Sequence, residues 1–220
     1  MISDAPLVMD LGMHDGRDTR AYLDLGYRVV AVEANPLRVA EARQAFAREI
    51  AIGALIIESV GLSRDEGEQP FYRNLANDQL SSFNPACAGR GGAACEVMPV
   101  ACQHPGFLFD RYGVPEYLKV DLEGADGAVL EALAQRRIRP RFCSIEITHV
   151  EDVVAMARLG YRAFQLVNQA ALPATGNPSG PFGAQLPSRW VDGETVAAQY
   201  RKACTRFPHA WFDLHAKADA

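Results

Sequence analysis

Long apolar runs are missing from this 220-residue chain, and so is any excess of basic charge. Without a run of membrane-spanning length, no transmembrane helix is expected. The N-terminal stretch MISDAPLVMD has no basic segment leading into an apolar one, so no export signal is expected and the expected location is cytoplasmic. A net charge of −5 leaves nothing sequence-wide to track a phosphate backbone, so neither nucleic acid nor membrane is an expected partner. Cysteines are few and odd in number: Cys87, Cys95, Cys102, Cys143 and Cys204 form no CxxC pair, which argues against a zinc or dithiol motif and fits reduced thiols. Disorder is equally absent from the composition. With 49% hydrophobic and 22% charged residues the chain can bury one full core, and neither linker nor internal repeat divides it. The expectation is a single domain over 1–220, with a Gly/Pro-rich loop and C-terminal segment at 170–220.

What is present is an alternation of two periodicities. PLVMDLG reads as a buried strand, RDTRAYLDLG as a helix stopped at Gly26, and YRVVAVEA as a strand apolar on both faces. Asn35-Pro36 is a helix start, and Val39, Ala42, Phe46 and Ile50 put one apolar stripe along PLRVAEARQAFAREI. ALIIESVGL is a third strand. The β-α-β-α-β series predicts an α/β fold, a parallel sheet covered by helices. The middle is less regular: QPFYRN is a possible strand and NPACAGRGGAAC a flexible loop. Alternation resumes with a helix in GFLFDRYG, a strand in PEYLKVDLEG, a helix in DGAVLEALAQRRI, a strand in RFCSIEIT, a helix in EDVVAMARLG and a strand in YRAFQLV. Pro173 to Pro187 is crowded with Pro and Gly, as a lid or as an ordinary surface connection.

In open α/β sheets ligands bind beyond the carboxyl ends of the strands, so the strand-end residues are the candidates. The first strand ends in Asp10, with Gly12 and Gly16 in the turn, and the second in Glu33. The glycines let a ligand lie against the backbone, and an acid 17 residues after Gly16 can accept both hydroxyl hydrogens of a ribose. A later strand ends in Asp121-Leu122-Glu123-Gly124 and the next in Glu146-Ile147-Thr148-His149. If these strands stay extended, Asp121 and Glu123 face one way, as do Glu146 and Thr148. The turn lacks the third glycine of a dinucleotide fingerprint and carries carboxylates that a pyrophosphate would avoid. They suit a cofactor with an amino group and a sulfonium: S-adenosylmethionine.

VMDLGMHDGRDT, VVAVEANP, FYRNLANDQLSSF, YLKVDLEGADGAVLEAL and CSIEITH together resemble the FkbM family of S-adenosylmethionine-dependent methyltransferases, from Leu7 to Val167. The first two stretches are common to the class I methyltransferase fold, and LKVDLEGADGAVL with the preceding SSF is more specific to the family. The resemblance implies a doubly wound, Rossmann-like, mostly parallel seven-stranded sheet with a reversed last strand, and methyl transfer to a hydroxyl oxygen. It also implies that Asp10, Gly12 and Gly16 line the methionine end of the cofactor, that Glu33 takes the ribose, and that Ser59 and Val60 lie near the adenine. His14, counted with this pocket, and Asp15 depart from the small or amide residues more usual in the family. Ser81 and Ser82 orient cofactor or acceptor by the same analogy, or else are turn residues.

Methyl transfer needs acceptor, methyl and sulfur in line, and positioning of this kind contributes on the order of 7–11 kcal/mol. An aliphatic hydroxyl also has to lose its proton, and the candidate catalytic groups are Asp121, Glu123, Glu146 and His149. Asp121 is expected at the boundary of cofactor and acceptor, with Glu123 or His149 as base. Asp121, Glu146 and Glu123 are also hard oxygen ligands, so a divalent metal such as Mg²⁺ is a second mechanism. His104 reads as a solvated loop residue, and His209, Trp211 and His215 as part of a docking C-terminal segment. Trp190 and Phe182 read as packing, with closure over an acceptor as the alternative. The expected acceptor is a small metabolite or saccharide. The rivals are a nicotinamide-dependent oxidoreductase and a catalytically silent nucleotide-binding module.

Overall fold

The structure is a computed structural model that describes residues 5–171 and 189–218. Along the chain run β1 (Leu7–Leu11), α1 (Arg17–Asp24), β2 (Arg28–Glu33), α2 (Pro36–Ala45), α3 (Ala47–Ala51) and β3 (Leu55–Ser59). An insert follows: β4 (Gly61–Leu62), β5 (Gly67–Asn74), α4 (Pro85–Ala88) and β6 (Cys95–Gln103). The main alternation then resumes with α5 (Gly106–Tyr112), β7 (Tyr117–Val120), α6 (Asp126–Arg136), β8 (Phe142–Glu146), α7 (Glu151–Arg158), β9 (Ala163–Asn168), α8 (Gly193–Arg206) and β10 (Phe212–Lys217).

Seven strands form one sheet in the order β3-β2-β1-β7-β8-β10-β9, parallel except for β10, which runs antiparallel to both neighbours. The order reverses between β1 and β7, and this is where a crevice opens in a doubly wound sheet. Alternation along the strands feeds two cores. Leu7, Met9 and Leu11 pack on one face with Leu108 of α5, Val129 and Leu133 of α6 and Met156 of α7. Val8 packs on the other with Tyr22 of α1, Ala42 of α2, and Phe46. The doubly wound α/β expectation holds, with helices on both faces.

Several local readings change. The helix expected through Ile50 breaks at Phe46, whose φ of −111° and ψ of 22° leave the helical region. The strand expected over ALIIESVGL divides at Val60: β3 stays in the main sheet, while β4 joins a separate three-stranded sheet, β4-β6-β5. NPACAGRGGAAC is not simply a loop, because Asn84 caps α4 and a short 3-10 turn covers Arg90–Gly92. The docking C-terminal segment is α8 followed by β10, a strand inside the main sheet. The Pro/Gly-rich stretch 173–187, with Phe182, lies outside the described residues. Trp190 packs near Phe142, with Lys217 Nζ 5.2 Å from its ring centre.

Candidate functional site

The β1–α1 turn is built by close approach. Gly12 sits at φ +88°, and a Cβ there would lie 1.9 Å from the Asp121 carbonyl oxygen, so only glycine lets the turn lie against the end of β7. Gly16, at φ +77°, faces the Phe46 ring, which a Cβ would meet at 2.7 Å. The Gly12 and Met13 N–H groups both donate to the Val32 carbonyl, at 3.0 and 3.1 Å. The turn therefore sits directly over the end of β2. There the two oxygens of Glu33 accept from the His14 and Asn35 backbone N–H groups, both at 2.8 Å. Burial raises the Glu33 carboxyl above its ordinary range against the pull of these bonds.

A cavity of about 810 Å³ opens above this turn, and Gly12, His14, Glu33, Val60 and Asp121 line it. Asp10, Gly16 and Ser59 do not line it. Asp10 lies under the turn, fully buried, where its Oδ2 accepts from Thr19 Oγ1 at 2.6 Å and its Oδ1 from Lys119 Nζ at 3.3 Å. It is paired with Lys119 across the β1–β7 register, so it shapes the turn from behind. Gly16 serves as the left-handed N-cap of α1. Ser59 is exposed, and its neighbour Val60 turns inward.

Further along, three acids meet. Oxygens of Asp121, Glu123 and Glu146 all lie within 4.8 Å of one another, and all three residues line the cavity. They meet for a reason other than strand alternation: β7 ends at Val120, and Glu123 at φ +49° with Gly124 at φ +102° turns the chain back on itself. Ser82 Oγ holds that turn by donating to the Glu123 carbonyl at 2.7 Å. Burial, then the charge of Glu146, pushes Glu123 up to about 7, while Arg90, which donates to Glu123 Oε2, opposes the rise. Burial and Asp121 also raise Glu146. His149 drops out of this group. It is exposed and does not line the cavity, because Thr148 and His149 turn into α7, donating backbone N–H groups to Asp152 Oδ2 at 3.0 and 2.9 Å.

A model of the methyltransferase FkbM domain matches residues 10–164, more than half of the chain. The chain belongs to the FkbM methyltransferase family. It is an S-adenosylmethionine-dependent methyltransferase. No curated protein matches the sequence. Among solved structures it is similar to precorrin-6Y C5,15-methyltransferase from Geobacter metallireducens GS-15, at 10% identity, with 98% of this chain and 81% of that chain covered and a TM-score of 0.45. It is also similar to an rRNA methylase from Streptococcus thermophilus, at 14% identity, with 98% and 89% covered and a TM-score of 0.44. A third is the StiE O-MT, at 8% identity, with 99% and 70% covered and a TM-score of 0.47.

The residues of this FkbM methyltransferase fit a cofactor that is cationic and free of phosphate. Asp15, Asp18, Glu33 and Asp121 line the cavity, while Lys119 at its floor is surrounded by Asp10, Asp18 and Asp121 at 3.3, 3.4 and 3.6 Å. Lys119 is a site residue that sequence reading missed, although it leaves a signal: a charge in the middle of the buried strand YLKV. Arg90 and Asp78 left none, since both stand in the irregular insert. Asp78 lines the cavity near Glu33, and Trp211, 54% exposed, lines it from the C-terminal side. His104 stands just before α5, its Nδ1 accepting from the Gly106 N–H at 3.2 Å, and does not line the cavity.

Proposed function

We propose that this methyltransferase acts on a hydroxyl oxygen of a small metabolite or saccharide, with Glu123 as the general base. One observation carries the reading: a single cavity runs from Glu33 past Gly12 to the acids at the end of β7 and β8, where Glu123 titrates at about 7. S-adenosylmethionine supplies an electrophilic methyl group on a sulfonium. Glu33 takes the ribose hydroxyls, Val60 lies against the adenine, and the Gly12 turn admits the methionine end beside His14. Asp121 positions the acceptor at the boundary with the cofactor. Glu123 receives the hydroxyl proton on a carboxylate oxygen, and a group that titrates near neutrality suits that task. Glu146 keeps the Glu123 carboxyl high and therefore basic.

A small acceptor is favoured over nucleic acid because Asp121, Glu123 and Glu146 would repel a phosphate backbone. The five free cysteines support a reducing, cytoplasmic setting. Among the described residues no helix is long and apolar enough to cross a membrane. A second reading rests on the same acids. The spacing of Asp121, Glu123 and Glu146 suits a divalent cation such as Mg²⁺, which would lower the pKa of an acceptor hydroxyl.

Calorimetric titration with S-adenosylmethionine, S-adenosylhomocysteine and NAD⁺, beside a Glu33→Ala protein, tests the cofactor site. The first two should bind, and weaken in the variant. A screen of hydroxylated acceptors with methyl-labelled cofactor, with and without EDTA, then tests the transfer. Activity lost in EDTA and restored by Mg²⁺ would replace the carboxylate base with the metal reading.

A further inference from the structure

Asp78 ties three separate parts of the chain together at the Glu33 end of the cavity. It stands on a 3-10 turn, Asp78–Leu80, that follows β5 in the insert. Its Oδ1 is 3.0 Å from His14 Nε2, in the β1–α1 turn. Its Oδ2 accepts from Arg38 of α2, at 2.6 Å from Nε and 2.5 Å from Nη2. Both ends of this bridge are themselves held. Arg38 Nη1 also donates to Glu41 at 2.8 Å, and the Asp78 carbonyl accepts from Ser81 Oγ at 2.7 Å.

His14 is bound in two directions. Its ring goes to Asp78, while its backbone N–H goes to Glu33 Oε2 at 2.8 Å. Its φ of +47° is a left-handed conformation that an L-residue other than glycine adopts at a cost. Something outside the turn has to maintain that conformation, and the ring's bond to Asp78 is the side-chain contact that ties His14 to the insert. If the ring were released, the His14 peptide could relax and Glu33 would lose one of the two donors that orient its carboxylate.

We propose that Asp78 is a positioning residue for the cofactor: through His14 it fixes the direction of the Glu33 carboxylate, so that its free lone pairs face a ribose diol. The inference rests on Glu33 taking the ribose. It also gives the insert a role in the cofactor half of the site, since it is the insert that delivers Asp78.

The test is S-adenosylhomocysteine binding by calorimetry for the wild type, Asp78→Asn, Asp78→Glu, His14→Asn, Glu33→Ala and the Asp78→Asn/Glu33→Ala double variant. Asparagine tolerates a left-handed backbone, so His14→Asn removes the ring while sparing the turn. Asp78→Asn and His14→Asn should each weaken binding by about tenfold, the scale of one charged hydrogen bond, and Asp78→Glu should recover part of the loss. Because Asp78 acts through Glu33, the double variant should bind no more weakly than Glu33→Ala alone, a non-additivity that general loss of stability would not produce. Wild-type protein that fails to bind would overturn the function reading itself. Binding that Glu33→Ala leaves unchanged would remove the ribose assignment and this inference with it. Loss in Glu33→Ala with wild-type binding in Asp78→Asn and His14→Asn, or penalties that multiply in the double variant, would overturn the inference alone.

Discussion

Lys119 and Asp10 form an ion pair shut away from water: Nζ and Oδ1 stand 3.3 Å apart, with the two side chains 8% and 0% exposed. Burial by itself would push the Lys119 ammonium down, but Asp10, Asp18 and Asp121 hold it well above the usual lysine range. The pair stands at the C-terminal end of β1 and β7, on the face where Val8 and Tyr117 are packed two residues earlier. Lys119→Met would leave Asp10 buried without its cation. We expect it to destabilise the fold by about 3–5 kcal/mol, the cost of breaking a buried pair from one side. Lys119→Met/Asp10→Asn should recover a large part of that loss in urea melts. A Lys119→Met protein as stable as wild type would show that Asp10 is neutral in the fold.

Glu123 as base predicts the direction of the pH profile. The carboxylate has to be unprotonated to take a proton, so turnover should rise with pH through a midpoint near 7. Arg90 lowers that carboxyl, so Arg90→Ala should move the midpoint to higher pH while leaving the alkaline plateau in place. Glu123→Gln should reduce the plateau itself by about 10²–10⁴-fold. A profile that keeps its acidic limb in Glu123→Gln would transfer the role to Glu146 or Asp121.

The two glycines of the first turn should respond unequally. At Gly12 a methyl group meets a backbone carbonyl at 1.9 Å, and neither strand end can move without breaking the sheet. At Gly16 it meets the edge of the Phe46 ring at 2.7 Å, a side chain at the break between α2 and α3 that has some freedom to shift. Both substitutions also strain a positive φ, at about 1–3 kcal/mol each. Gly12→Ala should therefore be the more destabilising in thermal melts, and it alone should abolish cofactor binding.

The difference between these positions also marks what was legible in the sequence. Asp10, Gly12, Gly16 and Glu33 could be found because regular elements bracket them: an apolar strand announces its own end, and the helix start at Asn35-Pro36 closes the second one. Which of them touch the cavity could not be read, because Asp10 and Glu33 look alike as strand-end acids. Both are buried, but Asp10 is taken up by Lys119 across the sheet, whereas Glu33 lines the cavity. Glu123 was placed with Asp121 by assuming an extended chain. It arrives there through a left-handed turn held by Ser82, a contact 41 residues distant. Strand β10 alternates apolar and polar residues as a half-exposed strand would, FDLHAK, but its polar Asp213 and His215 are buried between neighbouring strands, a position that alternation does not predict.

His215 sets an acid limit on stability. It lies 1% exposed in β10, opposite Ser144 of β8 and Gln165 of β9, and neither ring nitrogen has a hydrogen-bond partner among the described residues. Burial lowers its pKa from 6.5 to about 4, so the folded protein keeps the ring neutral while the unfolded chain protonates it. Between these values the unfolded state binds the extra proton. Stability is therefore complete above pH 6.5 and falls as the pH drops towards 4, by on the order of 3 kcal/mol. His215→Leu removes the titrating group and two unpaired buried polar atoms, so it should flatten this part of the profile without lowering stability at pH 7. Carboxylates held low by arginines, such as Asp110 beside Arg136, add an acid dependence of their own, but both proteins share it. The difference in urea stability between His215→Leu and wild type should thus grow from pH 7 to pH 4. A constant difference across that range would mean that the folded ring takes its proton as readily as the unfolded one.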